Sequence, residues 1–379
     1  MSENEYEDAD WKNLTDEEYT DLVANVLWPN TVEQGFVCVL AIMMLIGIIG
    51  NFLVVLVVLT NKSMRNALNL ILMNLAVADL LILMFCLPLT VVNDVTKTFW
   101  FSTLVCKSVL FLQNTSVYVS IMSLIFITCE RWRAITYPLK SPFLRTRSVI
   151  LIIWLLAMLL SSPEPFTLQL SPAEFTRPNF TTTWGTSCKE TWSHEFQTNY
   201  QLAQAMFSYL LPLVVISLLC LDMMRTLHFS SNNLQVACRQ INVRKKAVRM
   251  LCAVVSLFAL SNLPVHVYNI ALSYGVFDGS DPDEISTDFI AVRKLLPRVF
   301  QYSASCLNPI LYSFLSGRFR EEFSRVVCCM RNDKSSREFR RKQASLYASS
   351  QRNRANSATG QYAEMSVILK KHCNNNNNQ

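Results

Sequence analysis

Three groups of residues in this 379-residue chain are of types that act rather than merely pack. The first is ionic and lies in apolar sequence: Asp79, closing Asn74-Leu75-Ala76-Val77-Ala78-Asp79, and the adjacent pair Glu130-Arg131 before Trp132. Charge inside hydrocarbon is costly, so it persists where it pairs, relays or switches. The second is a thiol, Cys106, at the start of the run that ends in Glu130-Arg131. The third is a break, Asn308-Pro309-Ile310-Leu311-Tyr312, whose proline frees a carbonyl that neighbours must satisfy. Covalent catalysis is not indicated. No nucleophile–base set appears, and His194, His228, His266 and His372 form no metal-ligand pattern. We therefore expect no catalytic residue, no metal and no cofactor, and do not read the chain as an enzyme.

What must position these residues is a set of membrane helices. The chain is 51% hydrophobic and only 16% charged, too apolar for an ordinary soluble protein of this length. Seven apolar runs, near 35–60, 68–92, 104–136, 148–168, 200–227, 246–274 and 290–315, each approach or exceed the ~20 residues that cross a bilayer. The last is the least apolar. Bases cluster between particular runs: Lys62 and Arg65, then Lys140, Arg145 and Arg147, then Arg239 and Arg244 to Arg249, then Arg318, Arg320 and Arg325. The positive-inside rule then places the N-terminus outside and the C-terminus in the cytoplasm, with the first run acting as its own insertion signal.

This partition predicts four regions. Residues 1–34 form an acidic extracellular segment, in which Tyr19, Leu22, Val23, Val26 and Leu27 mark one face of a short amphipathic helix ended by Pro29. Residues 35–315 form an all-α bundle of seven transmembrane helices. Residues 316–329 form an amphipathic eighth helix on the membrane surface, with Cys328 and Cys329 as palmitoylation candidates. Residues 330–379, polar and ending in an asparagine run, form a disordered cytoplasmic tail. The sequons at Asn13 and Asn179 fall on the outer side and are candidates for glycosylation.

Asn51 after Gly50, Asp79, Glu130-Arg131, Trp154, Pro212, Pro264 and Asn308-Pro309-x-x-Tyr312 fall one per run, in order. In this the chain resembles the rhodopsin-like G protein-coupled receptors. The resemblance implies a plasma-membrane receptor whose Arg131 is held by its acidic neighbour at rest. It is freed toward a heterotrimeric G protein when the sixth helix, able to pivot at Pro264, swings outward. It implies that Asp79, Pro264, Asn308, Pro309 and Tyr312 belong to that switch, and that arrestin, a receptor kinase and membrane lipid are further partners, with no role for nucleic acid. It also implies an oxidised partner for Cys106, and Cys188 is the cysteine of the long outer loop. There are departures. Glu130 and Trp132 replace the commoner Asp and Tyr, Asn262 stands where many members have Trp, and Cys220 replaces a usual Tyr. Ala304 stands where an Asn is common.

For the ligand, Gln113 lies two turns inward from Cys106 and cannot pair an ammonium as a carboxylate would, but it can donate to and accept from a peptide amide. Thr90, Asn269 and Tyr302 are expected to line the same cavity, with Asp94, Glu190 and the acidic leader around its mouth steering a basic peptide. Thr90 to Thr96, Cys188-Lys189-Glu190-Thr191-Trp192, Arg244 to Leu251, Phe314 to Phe323, Gln113, Asn269 and Tyr302 resemble the orexin and allatotropin receptors. The expectation is a receptor for an extracellular, amidated neuropeptide of that kind. The alternatives are a neuropeptide Y- or cholecystokinin-type receptor, or a seven-span protein that binds peptide without signalling. A transporter would show internal repeats or several midplane charges, and Asp79 reads as alone at depth.

Overall fold

The structure is a computed structural model, and it describes residues 14–137, 145–173, 175–177, 180–233, 238–277, 286–315 and 317–331. Asn13, Asn179, Pro138 and the tail beyond Arg331 lie outside the described residues. A backbone removed from water must bond within itself, and a helix does so inside one segment. The apolar runs accordingly form helices. After a first helix α1 (Asp16–Leu27) come α2 (Thr31–Thr60), α3 (Ala67–Thr96), α4 (Thr103–Thr136) and α5 (Thr146–Thr167). Then come α6 (His194–Ala205, continued through Met206–Leu210 and Leu211–Asn233), α7 (Cys238–Ser273) and α8 (Thr287–Leu315). The helices α2 to α7 are long and apolar enough to cross a membrane. Asp288, Arg293, Lys294 and Arg298 in the first half of α8 make it the least apolar of the seven.

Several helices start before the apolar runs do. The first span begins at Thr31, inside the expected leader, because Asn30 and Glu33 form a capping box: Glu33 N donates to Asn30 Oδ1 at 2.8 Å and Asn30 N to Glu33 Oε2 at 3.0 Å. Helix α1 starts the same way, with Thr15 and Glu18. Polar residues at a helix end satisfy orphan N–H groups, so hydropathy alone places the boundary too late.

Prolines shape the spans. Two π-turns, Ile82–Cys86 in α3 and Met206–Leu210 in α6, lie just before Pro88 and Pro212. A proline ring collides with the carbonyl four residues back, here Met84 and Ser208, and the widened turn relieves that collision. Pro264 stays within an unwidened helix.

Membrane helices gain little from burying apolar side chains against each other, since lipid is equally apolar; close packing and hydrogen bonds hold them together. Leu151, Ile152, Leu155, Leu156 and Leu159 of α5 are exposed, whereas Val149, Ile153 and Ala157 of the same helix are buried. The outer surface is thus as apolar as the interior, suited to lipid. On α2, Gly47 and Gly50 allow contact with α3 and α8. A Cβ at Gly47 would lie 2.6 Å from Leu83 Cδ1 and 3.0 Å from Cys306 Sγ, and one at Gly50 would lie 3.0 Å from Pro309.

The segment between α5 and α6 forms two small antiparallel pairs, β1 (Leu168–Ser171) with β4 (Ser187–Glu190) and β2 (Thr176–Arg177) with β3 (Phe180–Thr181). In the first, Leu170 is opposite Cys188 and Leu168 opposite Glu190. Helix α1 rests on the second. Arg177 donates to the carbonyl of Leu14 at 2.8 Å and stacks 5.0 Å from the Tyr19 ring, which meets Phe180 edge-on. By its contacts the chain divides near Gly317, and a helix α9 (Gly317–Arg331) follows, with Phe319 and Phe323 in edge contact and an ion pair between Glu322 and Arg325.

Candidate functional site

The charged and amide residues of the spans assemble at mid-bundle into a polar relay. Asn308 Nδ2 donates to Asp79 Oδ2 at 2.9 Å, joining α8 to α3. Asn51 Nδ2 donates to the carbonyls of Gly47 and Ser305, both at 2.9 Å, joining α2 to α8. Asn74 receives the Trp154 indole N–H at 2.8 Å and donates to Ser123 at 3.0 Å, tying α3, α4 and α5 together. Asp79, Asn51, Asn74 and Asn308 are all buried, and each would be costly there without such partners. Beside Asp79 a cavity of about 50 Å³, lined also by Ser120, Ser305, Asn262, Gln301 and Tyr302, is of a size that holds ordered water. Pro264 opens the ladder of α7 in the same region. There Asn262 Nδ2 donates to the Phe258 carbonyl at 2.9 Å and the Tyr209 hydroxyl to that of Ala259 at 3.1 Å. Pro309 and the backbone of Tyr312 continue α8 below the relay; the Tyr312 side chain lies outside the described residues.

At one end of α4 Glu130 lies beside Arg131 and also pairs further along the helix. Glu130 is met by Arg133 at 3.0 Å, one turn along the same face, where positions i and i+3 are neighbours while i and i+1 diverge. Trp132 Nε1 donates to Asp222 Oδ2 at 2.7 Å, an α4–α6 link that no sequence signal singled out.

At the opposite end of α4 the disulfide Cys106–Cys188 is formed, with Cα atoms 5.8 Å apart. It clamps β4 over a cavity of about 520 Å³ walled by α4, α5, α6, α7 and α8. Gln113 and Asn269 line this cavity, and so does Glu190, held by the Trp192 indole N–H at 2.8 Å. Gln113 also lines the smaller cavity by Asp79, so it stands where the two meet. It is buried, and its Oε1 has no hydrogen-bond partner among the described residues.

Three residues expected in this site lie elsewhere. Asp94 is 5% exposed and enclosed by two cations of α8, Lys294 at 3.3 Å and Arg298 Nε at 3.4 Å. The bases that make α8 poorly apolar need an anion, and Asp94 supplies it. Tyr302 packs with Leu40, Ile82, Leu83, Leu87 and Cys306 and reaches only the small cavity, with Thr90 beside it. Among the described residues none from α2 or α3 lines the large cavity. Sequence reasoning also missed Glu164. It closes α5, is 3% exposed and lines the cavity, accepting from Asn114 at 2.8 Å and the Tyr200 hydroxyl at 3.1 Å. Asp79 is therefore not the only buried carboxylate of the bundle. Glu164 sits between Pro163 and Pro165 and so reads as a loop residue; an acid within a few residues of an apolar run's end is the signal that could have found it.

A ligand-sized cavity at one end of seven helices, joined through Gln113 to a buried polar relay with proline-broken helices beside it, defines a multi-pass membrane receptor. The chain belongs to the rhodopsin family of seven-transmembrane receptors, whose sequence pattern it matches over residues 50–312. It is accordingly a receptor and not an enzyme. Among similar proteins, the allatostatin-A receptor of Bombyx mori is 30% identical over 290 residues, 75% of this chain and 77% of that protein. The galanin receptor 2a of Danio rerio is 30% identical over 300 residues, 78% of each chain.

Proposed function

We propose that this receptor binds an extracellular, amidated neuropeptide in the cavity beneath Cys188 and passes the signal to a heterotrimeric G protein by an outward motion of α7 about Pro264. The observation that carries this reading is the buried Gln113 side chain at the junction of the ligand cavity and the relay, whose Oε1 has no hydrogen-bond partner among the described residues. A peptide amide satisfies both its donor and its acceptor. A contact there bears directly on the elements that must rearrange, and a ligand shifts a conformational equilibrium only by its differential affinity for the two states.

In this reading Gln113, Glu190 and Asn269 touch the peptide. Asp79, Asn308, Pro309 and Tyr312 form the switch, and Arg131 with Glu130 meets the G protein. The Cys188 side faces the outside of the plasma membrane. Asn13 and Asn179 carry glycans, Cys328 and Cys329 anchor α9 by palmitoyl chains, and the basic inner end of α7 and the tail engage G protein, receptor kinase and arrestin. Gln113 and Asn269 favour an orexin- or allatotropin-like peptide. The similarity to allatostatin-A and galanin receptors favours a second reading, a peptide of one of those kinds.

The test is calcium or cyclic-nucleotide signalling in cells expressing the chain, screened against orexin, allatotropin, allatostatin-A, galanin, neuropeptide Y and cholecystokinin peptides, with Gln113→Ala in parallel. A response lost in the variant supports receptor and site together. A response to allatostatin-A or galanin alone selects the second reading. Binding of labelled peptide without any response makes the protein a non-signalling binder.

A further inference from the structure

The large cavity contains a buried carboxylate without a counter-ion among the described residues. Glu164 accepts two hydrogen bonds, from Asn114 Nδ2 and the Tyr200 hydroxyl, both on Oε1. Gln204 in turn donates to Asn114 Oδ1 at 3.3 Å. Oε2 has no hydrogen-bond partner, and no ion pair reaches Glu164, among the described residues. Asp94, buried to a similar degree, shows what a completed site looks like in this bundle, with a cation on each side. A carboxylate taken out of water and met by neutral donors alone is half of an ion pair, and the missing half stabilises it most when it too is desolvated.

The rest of the wall indicates which cation would complete it. Arg298, on the opposite side, is already engaged by Asp94; Lys189 on β4 is exposed and has a contact of its own, and Glu190 adds a second acid. Facing Glu164 from α6 are Gln197, Gln201 and Gln204, spaced four and three residues apart and therefore on one helical face. Their carbonyl oxygens can accept further N–H groups. A compact ammonium has three donors and holds its water tightly. A guanidinium has five in a planar fork, is more weakly hydrated and stays charged when buried. A carboxylate with one open oxygen beside a row of amide acceptors suits the second.

We infer that Glu164 is the anion that receives an arginine side chain of the ligand within the cavity, with Asn114, Tyr200 and Gln204 as positioning residues. The inference rests on the peptide-receptor reading above but not on which peptide is native. It gives the site a chemical requirement: a guanidinium in the buried portion of the peptide.

The experiment uses the purified full chain in detergent and a probe of defined chemistry, N-acetyl-arginine amide, against its neutral isostere N-acetyl-citrulline amide. At ten times its Kd the arginine probe is expected to raise Tm by about 3 °C, with no shift from citrulline. Glu164→Gln should respond to neither, and Glu190→Gln should keep the preference. Equal shifts from both probes, or an arginine preference that survives Glu164→Gln, overturns the inference. Where Glu164→Gln does not fold, Asn114→Ala and Tyr200→Phe replace it. These keep the carboxylate but release its aim, and an undiminished arginine shift in both overturns the inference. For any peptide that activates cells, exchanging its arginine for citrulline should cost the native receptor about tenfold in potency and the Glu164→Gln receptor under about twofold. An arginine preference in the melting assay with every peptide silent in cells sinks the signalling reading and keeps the site. Potent peptides indifferent to the citrulline exchange keep the receptor and sink the site.

Discussion

Where α2, α3 and α8 meet, Leu40, Leu83, Leu87, Tyr302 and Cys306 pack into one cluster, glycines bring backbones together and Asp94 is closed by two cations. Across the bundle, α4, α6 and α7 present Gln113, Gln197, Gln201, Gln204 and Asn269 to about 520 Å³ of open space. Both halves are polar in sequence. In one half Asp94 has two cations and Asp79 the Asn308 amide, and in the other Gln113 Oε1 and Glu164 Oε2 have no hydrogen-bond partner among the described residues. A membrane protein lacks a strong hydrophobic force between its helices, so the closed half carries the packing that keeps the bundle together. That leaves the open half free to keep polar groups for a ligand.

This contrast can be broken by experiment, most severely at Gly47. Gly47→Val should destabilise the purified protein by about 3 kcal/mol, because its first added atom already overlaps Leu83. Gly35→Ala, with nothing within 4 Å, should be neutral or slightly stabilising in a melting experiment. Should the two behave alike, the close approach of α2 is not what holds this half.

Asp94→Asn should cost about 2 kcal/mol. That is less than the full penalty for a broken buried pair, because the Lys294 and Arg298 side chains keep 35% and 26% of their exposure. Its effect should appear in Tm. An unchanged Tm with weakened peptide binding would return Asp94 to the ligand site. Asn308→Ala, which strips Asp79 of a donor, should cost about 1–2 kcal/mol and alter basal signalling.

Gln113→Ala should invert the pattern, leaving Tm within about 1 °C while lowering peptide potency about tenfold. The smallest effect belongs to α1. The backbone N–H and hydroxyl of Thr15 hold the exposed Glu18 carboxyl below its ordinary range. A depressed carboxylate pKa contributes stability above the unfolded value, and that stability is lost as pH falls through the folded one. The protection factors of α1 amides in the intact protein, corrected for intrinsic exchange at each pH, should therefore fall slightly at acidic pH, and Thr15→Ala should remove that dependence.

The closed half was the more legible in sequence. Asp79 and Asn308 announce themselves because charge and a proline-linked amide are rare inside apolar runs, and the seven runs follow from hydropathy alone. The open half was legible only at Gln113, Glu190 and Asn269. Asp94, Thr90 and Tyr302 have ligand-like types but do not line the large cavity. Glu164 has loop-like neighbours but lies inside. Residue type reports what a side chain can bond, whereas the helix rotation that decides its neighbour comes from packing among all seven spans.

The sequence alone therefore determined the order of the spans and picked out Asp79 and Asn308 of the relay, since these depend on composition and on order along one chain. The tertiary structure alone decided that Trp132 meets Asp222, that Asp94 is neutralised by α8, and that Glu164 shares a cavity with Gln113. Each of these is a question of which polar group reaches another first. In a medium without water to answer every unmet bond, only the arrangement of the helices in space can settle it.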